Sequence, residues 1–363
     1  MSKGVFVLAA GGTGGHLFPA QALAEELIRR GYAIHLMTDE RVRDYGKSFP
    51  AAETHIVPSA TLSLSKPWLA PGRALRLYGG YRAARAILKR VRPLAVIGFG
   101  GYPSFPPIMA AARLKIPSCV HDQNAVMGRA NRVLAKWADA VASSFPTLMG
   151  LPGDARNKLT FTGNPVRDIA LKEKGAPYPG FDTFNLLVFG GSQGAQFFGE
   201  FMPRVFAAMT PEQRRGIKLT QQVRAENMDA VSSAYKAMEL DCELSPFFMD
   251  MPRRIANAHL VVCRSGASTI AELGVIGRPA VMAPLPHALD NDQLRNAESF
   301  ASAGAGWVKP QATLAPGAFA QFLTSLRSQQ SQLQQAAAAA LKHGKPDAAQ
   351  RLADLAEKLG KGR

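Results

Sequence analysis

The residues able to do chemistry fall in short motifs, each placed directly after an apolar run. Residues 10–16 read A-G-G-T-G-G-H after the run Val5 to Ala10. A glycine turn between a strand and a helix points backbone N–H groups at one place, beside the positive end of the helix dipole, and so forms an anion site. Gly14 and Gly15 allow a phosphate or sugar to approach the backbone closely. His16 closes the turn at a helix start, where partial positive charge favours the neutral imidazole that can accept a proton. It is a candidate base or a hydrogen-bond donor to substrate; a capping histidine, or one satisfied within the fold, is the structural alternative. A second turn, G-F-G-G-Y at 98–102, offers Gly100, Gly101 and Tyr102 to a further anionic group such as a diphosphate. H-D-Q-N at 121–124 follows another apolar run, and Asn124 can read a hydroxyl or an amide through both its donor and its acceptor.

The second half repeats the scheme. G-G-S-Q-G-A at 190–195 mirrors the first turn, with Ser192 able to donate to a phosphate. C-R-S-G-A-S-T-I-A-E at 263–272 is more specific, because its small residues let a ligand lie over a helix start and Glu272 projects one to two turns in. A carboxylate there suits a ribose diol, since it accepts two hydroxyl hydrogen bonds. Side-chain capping by Ser265 or Ser268 would explain the same residues structurally. P-L-P-H-A-L-D-N-D-Q at 284–293 is a polar loop that contains a D-x-D pattern. It reads as a solvated or sugar-facing loop rather than a metal site, and no other His, Cys, Asp or Glu pair has ligand spacing, so no metal is expected.

The elements that must hold these motifs alternate. Apolar runs at Val5–Ala10, Ala33–Met37, Leu94–Gly98, Ser118–His121 and Ala140–Ala142 in one half, and Leu186–Phe189, Leu260–Cys263 and Ala280–Ala283 in the other, are separated by helical patterns. Such alternation implies parallel sheets covered by helices. With 363 residues the chain exceeds one comfortable core. The expected fold class is α/β: two doubly wound, Rossmann-like domains facing a cleft. The expected boundaries are 1–164, a Gly- and Pro-rich linker 165–184, 185–340, and a C-terminal helix 341–363. A dinucleotide reading of the first turn fails because G-x-G-x-x-G would need glycine at Leu17, although Asp39 keeps that rival in view.

Lys and Arg number 43 against 27 acids, a formal charge of +16. Most of the excess lies before residue 165, where 21 basic residues face nine acidic ones. Residues 66–92 hold eight cations among Trp68, Leu69, Leu75, Leu77, Tyr78 and Tyr81, and no acid. Cations with interfacial aromatics describe a surface that rests on anionic lipid: Trp68, Leu69, Arg73, Leu75, Arg76, Arg82, Arg85 and Lys89. Nucleic acid is the rival polyanion, but no nucleic-acid module is evident. Three scattered cysteines exclude a disulfide framework and fit a reducing cytoplasm. Lys3 precedes only six apolar residues, too few for a signal-peptide core, so no export is expected. The uncharged run 93–112 has the length of a membrane span, but its prolines and glycines mark it as strand, loop and helix start.

G-G-T-G-G-H-x-x-P at 11–19, G-G-Y at 100–102, H-D-Q-N at 121–124, G-N-P-V-R at 163–167, G-G-S-Q-G-A at 190–195 and C-R-S-G-A-S-T-x-x-E at 263–272 occur together and in order. In this the chain resembles, over nearly its whole length, the MurG family of bacterial N-acetylglucosaminyltransferases of peptidoglycan synthesis. The resemblance implies a GT-B fold and inverting transfer from UDP-GlcNAc to the 4-hydroxyl of MurNAc in undecaprenyl-linked lipid I. It implies no cofactor, a peripheral place on the cytoplasmic face of the inner membrane, and a cell-wall synthesis complex as a partner. It puts the donor sugar against Thr13, Gly14, Gly15 and Asn124, with Arg167 and Ser192 near sugar and diphosphate. Uracil would meet backbone around Phe248, the phosphates Ala267, Ser268 and Thr269, the ribose Glu272, and GlcNAc hydroxyls Gln293. The family often has P-F-I-D-D-M where this chain has P-F-F-M-D-M, so the uracil wall differs. A UDP-GlcNAc epimerase of the same architecture, a nicotinamide oxidoreductase and a nucleotide-sensing protein remain alternatives; acceptor-dependent release of UDP separates the transferase from all three.

Overall fold

The computed structural model describes residues 2–11, 14–40, 49–60, 70–190, 196–286 and 288–362. Thr13, Trp68, Leu69 and Ser192 lie outside the described residues. The chain divides into two compact units, Met1–Asp168 with Pro346–Arg363, and Ile169–Lys345.

The first unit is built on β1 (Val5–Ala9), β2 (Ala33–Thr38), β3 (Glu53–Ile56), β4 (Ala95–Gly98), β5 (Ser118–Asp122), β6 (Ala140–Ser143) and β7 (Leu159–Phe161). They form one parallel sheet in the order β3-β2-β1-β4-β5-β6-β7. Both faces of β1 are covered. Phe6 and Leu8 pack with Leu23, Leu27 and Ile97 on one side, while Val7 and Ala9 pack with Val96, Ile108 and Val120 on the other. This two-sided burial is why the central strands read as unbroken apolar runs.

The second unit carries β8 (Phe184–Phe189), β9 (Ile217–Gln222), β10 (Asp241–Ser245), β11 (Leu260–Cys263), β12 (Ala280–Met282) and β13 (Gly306–Val308). Its order is β10-β9-β8-β11-β12-β13, again parallel. In each unit the strand order reverses beside the first strand, at β1/β4 and at β8/β11. Ligands of such sheets bind off the carboxyl ends of the strands at that reversal, which is where A-G-G-T-G-G-H, G-F-G-G-Y and C-R-S-G-A-S-T begin.

The segment 341–363 is not one helix. Residues up to His343 finish the Gln330–His343 helix, and a separate Ala348–Lys361 helix belongs to the first unit. Its Leu352, Ala353 and Ala356 join the core around β1, and Arg30 meets Asp354 at 2.6 Å and Glu357 at 3.3 Å. Buried apolar area decides where an amphipathic helix goes, and the spacing of its own residues does not reveal whose core it completes.

The basic stretch folds as the Ala70–Val91 helix. Gly80, Ala84 and Leu88 face inward, and an added Cβ on Gly80 would lie 2.0 Å from the Pro58 carbonyl oxygen, so only glycine allows the approach. Leu75 and Tyr78, 71% and 58% exposed, share the outer face with Arg82, Arg85 and Lys89 at three- and four-residue spacing; Arg73 is half-buried. Exposed Arg76 lies 3.8 Å from Glu40. Among the described residues no helix is long and apolar enough to cross a membrane.

Candidate functional site

In the first unit the two glycine turns converge. An added Cβ on Gly11 would fall 2.8 Å from the Pro103 ring, so the first turn lies directly against the residues that follow the second. Ser104 ties both to β1 by donating to the carbonyls of Ala9 and Gly100, each at 2.8 Å. Gly14 opens the Gly14–Arg29 helix buried, Gly15 is exposed, and His16 is half-buried. The His16 ring lies against the second turn: Cβ atoms added at Gly100 and Gly101 would come within 3.3 and 3.4 Å of ring atoms. Both glycines have positive φ, 87° and 70°, a region costly for other residues. Tyr102 follows in a single 3-10 turn.

Behind His16 runs the H-D-Q-N segment. His16 Nδ1 lies 2.9 Å from Gln123 Oε1. Gln123 Nε2 lies 3.0 Å from His121 Nδ1 and donates to the His121 carbonyl at 3.1 Å. His121 Nε2 reaches the Gly163 carbonyl at 3.1 Å, joining H-D-Q-N to G-N-P-V-R. Complete burial pushes the His121 pKa down to about 4, so this ring is neutral at physiological pH. Burial likewise raises the pKa of Asp122, against the opposing effect of hydrogen bonds from Asn131, Gly128 and Asn124. Those bonds, at 2.9, 2.9 and 3.2 Å, make Asp122 the clasp of the loop that presents Asn124. Arg167 stacks on the Phe18 ring at 3.7 Å, which brings the G-N-P-V-R cation to the helix that starts at Gly14.

In the second unit β11 delivers Arg264, Ser265 and Gly266 to the start of the Ala267–Ile276 helix. Gly266 is the N-cap, with φ −61° and ψ 147°, and among the described residues no side chain caps this end. The capping explanation of Ser265 and Ser268 is therefore overturned. Ser265 instead donates to the Gln293 carbonyl at 2.8 Å, and the Ser268 hydroxyl is buried with no hydrogen-bond partner among the described residues. Among the described residues the first-turn N–H groups of Ala267, Ser268 and Thr269 have no partner and are left to water or a ligand. Glu272 stands three residues beyond Thr269 on the same helix, half-buried.

Gln293 lies in the first turn of the Asp292–Ser302 helix and is fastened to this region twice: its carbonyl accepts from Ser265, and its Oε1 accepts from the Leu285 backbone at 3.0 Å. Asp290 and Asn291 adopt φ of 60° and 55°, and the Asp292 carboxylate accepts from the Gln293 backbone at 2.7 Å, so one acid of the D-x-D pattern is engaged in the turn itself. Arg264, buried and with its pKa lowered by that burial, donates to the carbonyls of Ala283 and Pro284 and to Gln311 Oε1 at 2.6 Å. It holds the start of the loop that leads to Gln293. Phe248 is buried beneath the Arg254 guanidinium, 4.0 Å away, whereas Phe247 and Met249 are exposed, so the segment offers a ligand its backbone and those two neighbours.

The glycosyltransferase family 28 N-terminal domain matches residues 6–143 and the family's C-terminal domain residues 185–352. Relatives named UDP-N-acetylglucosamine--N-acetylmuramyl-(pentapeptide) pyrophosphoryl-undecaprenol N-acetylglucosamine transferase are similar end to end. That of Rhizobium leguminosarum bv. trifolii is 48% identical, covering 100% of this chain and 97% of its own. That of Mesorhizobium japonicum is 49% identical, covering 99% and 96%. The chain belongs to the MurG family. The crystal structure of Acinetobacter baumannii MurG superposes with a TM-score of 0.79 at 28% identity, covering 98% of this chain and 99% of that one. A UDP-GlcNAc 2-epimerase from Neisseria meningitidis shares the fold alone, with a TM-score of 0.64 at 14% identity over 98% and 99% of the two chains.

The fold of this MurG-family chain is the expected α/β GT-B class with two Rossmann-like units. The sheets bring Gly14, Gly15, His16, Gly100, Gly101 and the H-D-Q-N segment together in the first unit, and Ala267, Ser268, Thr269, Glu272 and Gln293 in the second. Gln123, His121 and Arg264 lie within the motifs, but residue type and spacing do not mark them as site residues. Their hydrogen bonds run to residues up to 107 positions away, and spacing carries no sign of them. Nor does spacing mark His35, Glu53 and His55, whose side-chain ligand atoms the β2–β3 pairing brings within 4.8 Å of one another. There His35 meets His55 at 3.1 Å, and Arg90 holds Glu53 at 2.9 Å.

Proposed function

We infer that the chain transfers GlcNAc from UDP-GlcNAc, with inversion, to the 4-hydroxyl of MurNAc in undecaprenyl-linked lipid I, giving lipid II for peptidoglycan synthesis. The observation that carries the reading is the uncapped start of the Ala267–Ile276 helix, followed by a carboxylate at Glu272, in a chain of this family. A helix start with open N–H groups favours a diphosphate, and a carboxylate one turn on favours a diol, which together describe a nucleoside diphosphate.

In this reading the amides of Ala267, Ser268 and Thr269 take the UDP phosphates, Glu272 the ribose, the backbone around Phe248 the uracil, and Gln293 the GlcNAc hydroxyls. Thr13, Gly14, Gly15 and Asn124 hold the donor sugar, and Gly14, Gly15, Gly100, Gly101 and Tyr102 the acceptor diphosphate. His16 Nε2 accepts the proton of the acceptor hydroxyl as that oxygen bonds to the anomeric carbon. The bond from that carbon to the diphosphate oxygen breaks, and UDP leaves with the electron pair. Charge on the departing UDP is met by the helix dipole, Arg167 and Ser192, and no cofactor enters the scheme.

The exposed face of the Ala70–Val91 helix, with Leu75 and Tyr78 ahead of Arg82, Arg85 and Lys89, supports a peripheral place on an anionic membrane surface. That surface is where an undecaprenyl-linked acceptor resides.

The test is incubation with labelled UDP-GlcNAc and a lipid I analogue. UDP released only when acceptor is present, with label on the lipid, supports the transferase. Conversion of the donor without acceptor would make the chain an epimerase instead.

A further inference from the structure

The contacts behind His16 determine which of its ring nitrogens carries the proton. A carbonyl oxygen only accepts, so the Gln123 atom 3.1 Å from the His121 carbonyl must be the amide nitrogen. That same nitrogen lies 3.0 Å from His121 Nδ1, which must therefore be bare. His121 Nε2 faces the Gly163 carbonyl at 3.1 Å and must be the protonated nitrogen. The two statements describe one neutral tautomer, in keeping with a ring whose burial depresses its pKa. With its nitrogen committed to His121, Gln123 turns its oxygen toward His16 Nδ1 at 2.9 Å, and Nδ1 must donate. Flipping the amide would set oxygen against the His121 carbonyl and require a doubly protonated, fully buried His121.

We propose that His121 and Gln123 are positioning residues that lock His16 in its Nδ1–H tautomer and leave Nε2 as the lone-pair nitrogen. A free histidine favours the opposite, Nε2–H form, so the chain of bonds from Gly163 through His121 and Gln123 reverses an intrinsic preference. Among the described residues, other groups facing the ring do not compete. The second turn meets the ring with Gly100 and Gly101, the first turn of the His16 helix has no acid, and the Asp122 carboxylate is engaged by Asn124, Gly128 and Asn131. The catalytic consequence rests on reading His16 as the base; the tautomer does not.

The experiment uses the full chain labelled with 15N-histidine and two-bond 15N–1H correlation spectra, with His16→Gln identifying the His16 signals. The expected wild-type result is His16 protonated on Nδ1. Gln123→Met, which keeps length but has no amide, should move His16 to the Nε2–H form. It should lower kcat at least about tenfold while KM for UDP-GlcNAc stays within about twofold, since a catalytic histidine in the wrong tautomer loses its lone pair where it is needed. His121→Phe, which frees the Gln123 amide to flip, should give a mixture of tautomers and a smaller loss. Wild-type His16 in the Nε2–H form overturns the proposal without any buried substitution being made. So does a folded Gln123→Met whose His16 tautomer is unchanged. A locked Nδ1–H tautomer combined with full turnover in His16→Ala upholds the lock and refutes the base.

Discussion

Gly266→Asp should make the second unit more stable and UDP binding much weaker. Gly266 already has N-cap geometry, φ −61° and ψ 147°; among the described residues no side chain caps the helix, and an added Cβ there would have no atom within 4 Å beyond its chain neighbours. Aspartate can therefore enter without strain. Replacing a glycine cap by aspartate contributes a few tenths of a kcal/mol, and the charge–dipole interaction about 0.3–1 kcal/mol more. For a unit of this size a gain of about 1 kcal/mol raises Tm by about 2–4 °C. The same carboxylate occupies the N–H groups assigned to the diphosphate and repels it. One unit charge about 4 Å from another at an effective dielectric of 20 costs about 4 kcal/mol, so UDP affinity should fall at least about 100-fold. Gly266→Ser caps without charge and should weaken UDP far less. Thermal unfolding without ligand and calorimetric titration with UDP give the two readouts. An aspartate variant that is stabilised yet binds UDP as tightly as the parent would refute the helix start as the phosphate site. One that gains no stability would refute the claim that this end lacks a cap.

His16→Ala should lower kcat by about 10²–10⁴ with the UDP-GlcNAc dissociation constant nearly unchanged; near-normal turnover in a coupled UDP-release assay removes His16 as base. Replacing Arg82, Arg85 and Lys89 together with alanine removes about 3 kcal/mol of attraction to anionic lipid, so sedimentation with anionic vesicles should show partitioning reduced by about 100-fold, and neutral vesicles no change. Burial lowers the His121 pKa from its ordinary 6.5 to about 4. Between those values the unfolded chain binds more protons than the folded one, so this group's contribution to stability is lost as pH falls from about 6.5, by roughly 1.4 kcal/mol per pH unit. Urea unfolding of the first unit at pH 7 and pH 5 should therefore show a drop in stability about 2 kcal/mol smaller in His121→Phe than in the parent; equal drops would contradict a neutral buried ring.

Legibility in the sequence followed burial. β4, β5, β6 and β11 are buried at every residue and read as apolar runs. β3 has three exposed residues of four, β10 has none fully buried, and β9 alternates at its start, so none of them stands out from its surroundings. Glycine loops were legible because a close approach or a positive φ demands glycine whatever the rest of the fold does, as at Gly100 and Gly101. The Ala348–Lys361 helix was legible as a helix and not as part of the first unit, because an apolar stripe fits any complementary core.

Sequence alone thus determined the alternating α/β plan, the glycine turns, the acid after the second helix start and the family, because each depends on residue type within a few positions of the backbone it shapes. Only tertiary structure decided that Ser265 fastens Gln293 rather than capping a helix, that Arg264 holds the neighbouring loop, and that Gln123 turns its oxygen to His16. Hydrogen bonds are directional and short, and whether two polar groups separated by scores of residues come within 3 Å of each other is settled by how the strands pair, not by what either residue is.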